Sequence, residues 1–555
     1  MSTFTIRRLA AVAAGAVLAS SATVGGAAAT PVAADRPAFG HGHRPGAQDP
    51  TTFTIAEATK ALKTGRVTSV ELTRAYLDRI AQHEPYYNAF TRLNPDALVE
   101  AAAADAARQG SQKDVGPLEG VPIVIKDSLD VRGLPTTSGW AVTSPEAGGV
   151  ALVPQDDAPV VERLREAGAV IVGKTNLPVL AGSGSNANNS AYGPTFNALD
   201  QDWAPGGSSS GSATAVAGDF AVTGIAEETG GSIQNPASAQ SLFAVKPTFG
   251  LVPNTGNMPL AGNTRDVLGP LAKTPEDAAI MLDVMAGTHS GDPKTAGAEV
   301  PDGGYTSQLS KRALEGTRIG LYGPGWRSGQ GGELSDETAA LYAEAVDNLQ
   351  EQGATVVEDP FEGTRFADLA KIGEGGYDGR GSVGNAHAVE DYLAGLGDGA
   401  AVSSLEQLDD WADAHGFAGD ERIDEMVEAL ATEPTTDAEF EAVSEQYQEL
   451  FDQVMDTQDL DALVFPQQVE EIPGIYDGEI NASTVSEINI SQLPGVVVPD
   501  GAYDSGKPFN LIFVGKKYSE ADLLGFAYDY DEAYDGRVVN RNLATTPGPV
   551  QPDEQ

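Results

Sequence analysis

The 555-residue chain contains no cysteine. That excludes a thiol nucleophile, thiolate metal sites and any disulfide scaffold. Positive charge is scarce as well: 34 lysines and arginines stand against 80 aspartates and glutamates, a formal charge of −46. Such a surface repels phosphate backbones, so a nucleic-acid partner is not expected. There are no internal repeats, and no heptad pattern persists long enough for a coiled coil. What remains is 41% hydrophobic residues with 64 glycines and 34 prolines, the profile of a loop-rich globular chain. A chain of this length can bury a large core.

The N-terminus reads as a separate unit. Arg7 and Arg8 precede "LAAVAAGAVLASSATVGGAAAT", a run dominated by alanine and glycine whose strongly apolar part is short. This pattern suits a signal peptide over residues 1–34, cleaved after Ala29 or Ala34, better than a membrane anchor. The paired arginines fit either twin-arginine export or an ordinary positive leader, so a secreted or extracytoplasmic protein is expected. Losing the leader, whose charges are Arg7 and Arg8, takes the net charge to about −48. Residues 35–51 read as a disordered lead-in, 52–540 as one domain and 541–555 as a disordered tail.

Within the domain, strands and helices alternate. Thr68 and Glu71 have capping-box spacing, and Leu72, Tyr76, Leu77 and Ile80 recur at helical intervals. "NPDALVEAAAADAARQG" predicts a second helix, and "GVPIVIKD" a buried strand ending in Lys126. "DAPVVERLREAGAVIVG" predicts a helix, a glycine stop and another buried strand. "SATAVAG" reads as helix, "DFAVTGIA" as strand and "EETGGS" as a tight turn. The fold class is therefore α/β, a layered sheet covered by helices. From 291 to 440, acidic amphipathic helices alternate with glycine-rich loops, read as a covering region; "LDALVFPQ" and "LPGVVVPDGAYDSGKPFNLIFVG" return to strands.

Three stretches carry candidate chemistry. "GSSSG" at 207–211 matches the nucleophile-elbow pattern with Ser209 central, and its histidine would be His289, His387 or His415. The pattern is short, and all three histidines lie in polar segments. A lysine base is the other route. A buried lysine without a carboxylate partner gives up its proton readily, because desolvation disfavours its charged form. A neutral amine can then activate a serine. Lys126 suits that demand; the plainer alternative is an ammonium paired with Asp127 or Asp130. In "ETGGS", two residues without Cβ precede Ser232, so successive N–H groups can converge on an oxyanion. Taken alone, an ordinary glycine turn explains that stretch equally well.

Together, "LEGVPIVIKDSLDVRGLPTTSGW", "APGGSSSGSATAVA" and "TGGSIQNPASAQSLFAVKPTFGLVP" closely resemble the amidase signature family. The resemblance spans about residues 52–535 and is nearest in motif to the bacterial peptide amidase branch. It implies that fold, a large mixed β-sheet with helices on both faces. It also implies an amidase hydrolysing linear carboxamides, with a Ser–cis-Ser–Lys triad. Lys126 would be the neutral starting base, Ser208 the bridging serine with a cis peptide bond, and Ser232 the nucleophile. The N–H groups of Thr229, Gly230, Gly231 and Ser232 would hold the oxyanion. Gly206, Gly207, Ser209 and Ser210 would support the turn. No metal and no cofactor is implied. Expected partners are a small-molecule or peptide amide substrate, with no stable membrane anchor and a monomeric or homodimeric state.

The sequence also departs from the family. Many relatives carry "GTD" or "GTE" where this chain reads "IAEET", which brings Glu227 and Glu228 near the turn. Gln234 stands where many have arginine. An extra carboxylate facing the site would favour neutral or cationic substrates. Trp140, Trp203, Trp326 and Trp411 are candidates for substrate walls, or for plain packing. Two other functions fit the fold. A glutaminase-type subunit of a tRNA-dependent amidotransferase is opposed by the leader and the acidity. A catalytically silent secreted binding protein is opposed by the intact Lys126, Ser208 and Ser232.

Overall fold

The computed structural model describes residues 48–110, 116–182, 185–261, 264–327, 332–369, 382–397, 399–432 and 436–551. Expected features over 1–47, the signal peptide and most of the lead-in, lie outside these residues. Among the described residues an eleven-stranded mixed sheet forms the centre. The strands are β1 (Phe90–Leu93), β2 (Pro122–Lys126), β3 (Val170–Thr175), β4 (Thr223–Glu228), β5 (Phe243–Lys246) and β6 (Val267–Ala272). They continue with β7 (Arg318–Leu321), β8 (Thr355–Val357), β9 (Ala462–Pro466), β10 (Gly495–Ala502) and β11 (Pro508–Val514). Their order across the sheet is β1-β3-β2-β4-β6-β5-β10-β11-β9-β7-β8.

The strand residues alternate between two buried faces. Ile123 and Ile125 of β2 enter one apolar cluster, while Val124 enters the other. Val496 and Val498 of β10 likewise oppose Val497. A strand buried on both sides needs a continuous apolar run, which explains "PIVI", "GVVV" and "NLIF". The helix Ser69–Tyr87 starts at the expected capping box, with Thr68 and Glu71 bonding each other's backbone. The helices Ala97–Gly110, Pro159–Glu166 and Ser210–Ala217 also fall in the segments the sequence predicts.

Three differences have clear physical reasons. The covering region is only partly a cover: within it, β7 and β8 extend the sheet edge, joined by the helix Asp336–Glu351. These strands are four and three residues long, too short to register as periodic apolar runs. The helices between 382 and 429 do cover, through a separate cluster joining Ala386, Leu393, Leu405 and Ile423 to Trp140 and Val142. The end of the lead-in is ordered, since Thr51 is buried and its carbonyl accepts a hydrogen bond from Tyr76. The described part of the tail packs too: Leu543 is buried, and Ala544 N–H donates to Tyr87 Oη at 2.8 Å.

Candidate active site

Sheet register delivers the first component. β2 and β4 are parallel neighbours with Ile125 beside Ile225, so Lys126 and Glu227 emerge together at the same sheet end. Lys126 is fully buried, and its Nζ makes three contacts: Ser208 Oγ at 2.8 Å, Glu227 O at 3.0 Å and Glu227 Oε2 at 2.6 Å. Burial pulls the lysine pKa below its ordinary value, against the opposing pull of Glu227, Asp266 and Glu228.

This corrects the expectation of a lysine free of carboxylates, and equally the alternative of pairing with Asp127 or Asp130. Asp127 is taken by Lys174 at 2.7 Å, and Asp130 accepts from Thr136 and Tyr392. The partner comes instead from a strand about a hundred residues away in sequence, a distance only the sheet register closes. Three contacts also suit a neutral amine. Two N–H bonds can donate to Glu227 while the lone pair accepts from the Ser208 hydroxyl.

Two glycine turns bring the serines together. The Gly207–Ser208 peptide bond is cis. Gly206, at φ 76°, lies so close to the second turn that a Cβ there would stand 2.5 Å from Pro236 Cα. Gly231, at φ 94°, takes the left-handed conformation that lets the chain reverse before Ser232. Glu228 then fastens that turn, accepting from the N–H groups of Ile233 and Gln234 and from Asn489 Nδ2. A carboxylate at the first N–H groups of a helix is stabilised there.

The result is a polar cavity of about 200 Å³ lined by Gly207, Ser208, Thr229, Gly230, Ser232 and Asn235, among others. Ser208 and Ser232 thus face one space, and Lys126 lies beneath Ser208. Among the described residues, the N–H groups of Gly230, Gly231 and Ser232 have no backbone acceptor. Ser209 points elsewhere: its hydroxyl bonds the Glu227 backbone on both sides, at 3.2 and 3.3 Å. Ser210 is buried at the first turn of its helix.

Several sequence candidates are not in the cavity. No histidine lines it among the described residues. His387 bonds Thr432 O, His415 stacks on Trp411, and His289 bonds Thr295 and Gly291. None of the four tryptophans lines it either. Trp326 is packed among Phe361, Phe366 and Phe465, Trp140 bonds Asp420, and Trp203 sits against Ile472 and Ile480. Glu227 and Glu228 also turn away from the cavity, which removes them as direct filters of substrate charge. Gln234 turns inward to Glu228, and the charged residues that do line the cavity are Arg265 and Glu479. No sequence signal points to either, because each lies on a loop with no motif around it.

Similar proteins identify the family. The Amidase family model matches residues 71–524. The A subunit of glutamyl-tRNA(Gln) amidotransferase from Symbiobacterium thermophilum is 32% identical over 501 residues, 86% of this chain and 96% of that protein. Its counterpart from Chloroflexus aurantiacus is 33% identical over 497 residues, with the same coverage. Among solved structures, the native peptide amidase of Stenotrophomonas maltophilia superposes with TM-score 0.72 at 31% identity, covering 87% of this chain and 97% of that one. A peptide amidase in complex with the competitive inhibitor chymostatin gives 0.74 at 33% identity, covering 87% and 98%. With a family match over most of its length and a lysine–serine contact at the centre of its sheet, the chain belongs to the amidase signature family.

Proposed function

We propose that this protein is an exported amidase that hydrolyses a linear carboxamide, with a peptide C-terminal amide among the candidate substrates. The observation that carries the reading is the 2.8 Å contact between Lys126 Nζ and Ser208 Oγ, beside a cavity that Ser208 shares with Ser232. Similarity to two peptide amidase structures supports the substrate class.

In this reading Ser232 Oγ attacks the amide carbon. Its proton passes to Ser208, and the Ser208 proton passes to the amine of Lys126. Carbonyl oxygen becomes an oxyanion held by N–H groups of the Thr229–Ser232 turn, where one donor typically accounts for ~3–4 kcal/mol. The proton then returns through Ser208 to the leaving nitrogen, the C–N bond breaks, and an ester remains on Ser232. Water enters by the same proton route and releases the acid. Ammonia or an amine is the other product.

A second reading is the glutaminase component of an amidotransferase, favoured by the 32–33% identity to two such A subunits. The formal charge of −46 weighs against work beside an RNA. Purified protein should be assayed against free glutamine, peptide amides, anilides and esters, with Ser232→Ala as control. Release of ammonia or amine from peptide amides or anilides, lost in Ser232→Ala, supports the first reading. Activity on glutamine alone supports the second.

A further inference from the structure

The relay of Lys126, Ser208 and Ser232 leaves a buried carboxylate unexplained. Glu227 is 1% exposed, and its two oxygens point in different directions. Oε2 contacts Lys126 Nζ at 2.6 Å, and Oε1 contacts Thr229 Oγ1 at 3.0 Å. Thr229 Oγ1 in turn lies 2.5 Å from Asp266 Oδ1. Asp266 is also buried and accepts from the N–H groups of Leu260 and Ala261.

A proton count follows. The Thr229 hydroxyl has one hydrogen but touches two carboxyl groups, so the second contact needs a proton on a carboxyl. Asp266 is the place for it, since burial and the neighbouring Glu227 push its pKa up to about 6. With that proton on Asp266, the Thr229 hydroxyl donates to Glu227 Oε1 while Glu227 Oε2 faces the lysine. The Glu227 backbone is pinned by Ser209, and its side chain is held between the base and the oxyanion turn.

We propose that Glu227 is the positioning residue of the relay, aiming the Lys126 amine at Ser208 and stabilising the ammonium formed when the serine proton arrives. This rests on the relay reading of the site. It parallels the acidic member of a serine triad, which orients its base and stabilises the cation without taking the proton itself. No bond to carbon changes at Glu227. The proton moves from Ser208 Oγ to Lys126 Nζ and back, and the ammonium donates to Oε2 in the interval. Glu228, and Asp266 once it has given up its proton above about pH 6, are the other charged groups acting on Lys126, and both favour its protonated form, as Glu227 does.

The test is the pH dependence of amide hydrolysis and of Ser232 labelling by a fluorophosphonate, in wild type, Glu227→Gln and Asp266→Asn. Activity needs the free amine, so it rises with pH as Lys126 loses its proton. Removing the carboxylate makes that loss easier. The rising limb of kcat/KM in Glu227→Gln should move to lower pH by about 1 unit or more, and its plateau should fall at least about tenfold. Asp266→Asn should move the limb the same way by less, because Asp266, ionised above about pH 6, acts on Lys126 by charge without touching it. A limb that stays put in a folded Glu227→Gln protein overturns the proposal. If that variant does not fold, Glu227→Asp decides: drawing the carboxylate back from Lys126 by one carbon should move the limb to lower pH and lower the plateau, and a limb that stays put overturns the proposal. Failure of the relay itself looks different, since wild-type Ser232 would then not be labelled at any pH.

Discussion

Lys126 and Ser208 are 82 residues apart in sequence and 2.8 Å apart in space, nitrogen to oxygen, with Lys126 fully buried and Ser208 lining the cavity above it. A contact this close has a direct kinetic consequence. Lys126→Met keeps the volume and removes the proton acceptor, and should lower kcat/KM for an amide by about 10²–10⁴-fold. Ser208→Ala should do the same while leaving the melting temperature close to wild type. Steady-state kinetics with circular dichroism as a folding control checks both.

The approach of the two glycine turns can be tested by adding one carbon. Gly206→Ala places a methyl 2.5 Å from Pro236 Cα, at a φ of 76° that L-residues seldom adopt. Either the turns separate or the backbone shifts. The overpacking should cost about 1–3 kcal/mol of stability, and misplacing Ser208 should cost on the order of 10²-fold in rate. Denaturant unfolding and kcat measure the two effects separately.

Histidines should not matter to the chemistry. His289, His387 and His415 all bond or stack outside the cavity, so alanine at each should leave kcat/KM within about threefold of wild type. Incubation with a chelator should likewise leave activity unchanged. Among the described residues there is no group of three acidic or histidine side chains arranged to hold a metal.

Stability should fall as pH rises from about 5 to about 8. Burial raises the pKa of Glu84 to about 8 and that of Asp277 to about 7. Asp130 is raised to about 6, again chiefly by burial. Each of these carboxyls binds its proton more tightly when folded. The stabilisation is therefore full below the ordinary carboxylate range and is lost as pH climbs through the raised values. Calorimetry should show a melting temperature several degrees higher at pH 6 than at pH 8.

What could be read from the sequence followed from local chemistry. The capping box at Thr68, the doubly buried strand at "PIVIK" and the glycine turn before Ser232 each rest on residues a few positions apart. The family motifs carried the candidate residues on that scaffold. Three things escaped. The sequence offers Asp127 and Asp130 as partners of Lys126, because it shows near neighbours while the sheet register that brings Glu227 in is non-local. β7 and β8 lie hidden in what reads as a helical cover, since strands of four and three residues leave no periodic signal. Arg265 and Glu479 reach the cavity from loops, where no spacing rule points to them.

The central claim is that Ser232 forms the covalent intermediate, with its proton drawn away through Ser208 to Lys126. Rapid acid quenching during turnover of a slow anilide or ester, followed by peptide mapping, tests it most directly. The acyl group should be found on Ser232 in the wild type, and its formation should slow by about 10²-fold or more in Ser208→Ala and Lys126→Met. An acyl group on Ser209, or one that forms at the wild-type rate without Lys126, would contradict the account.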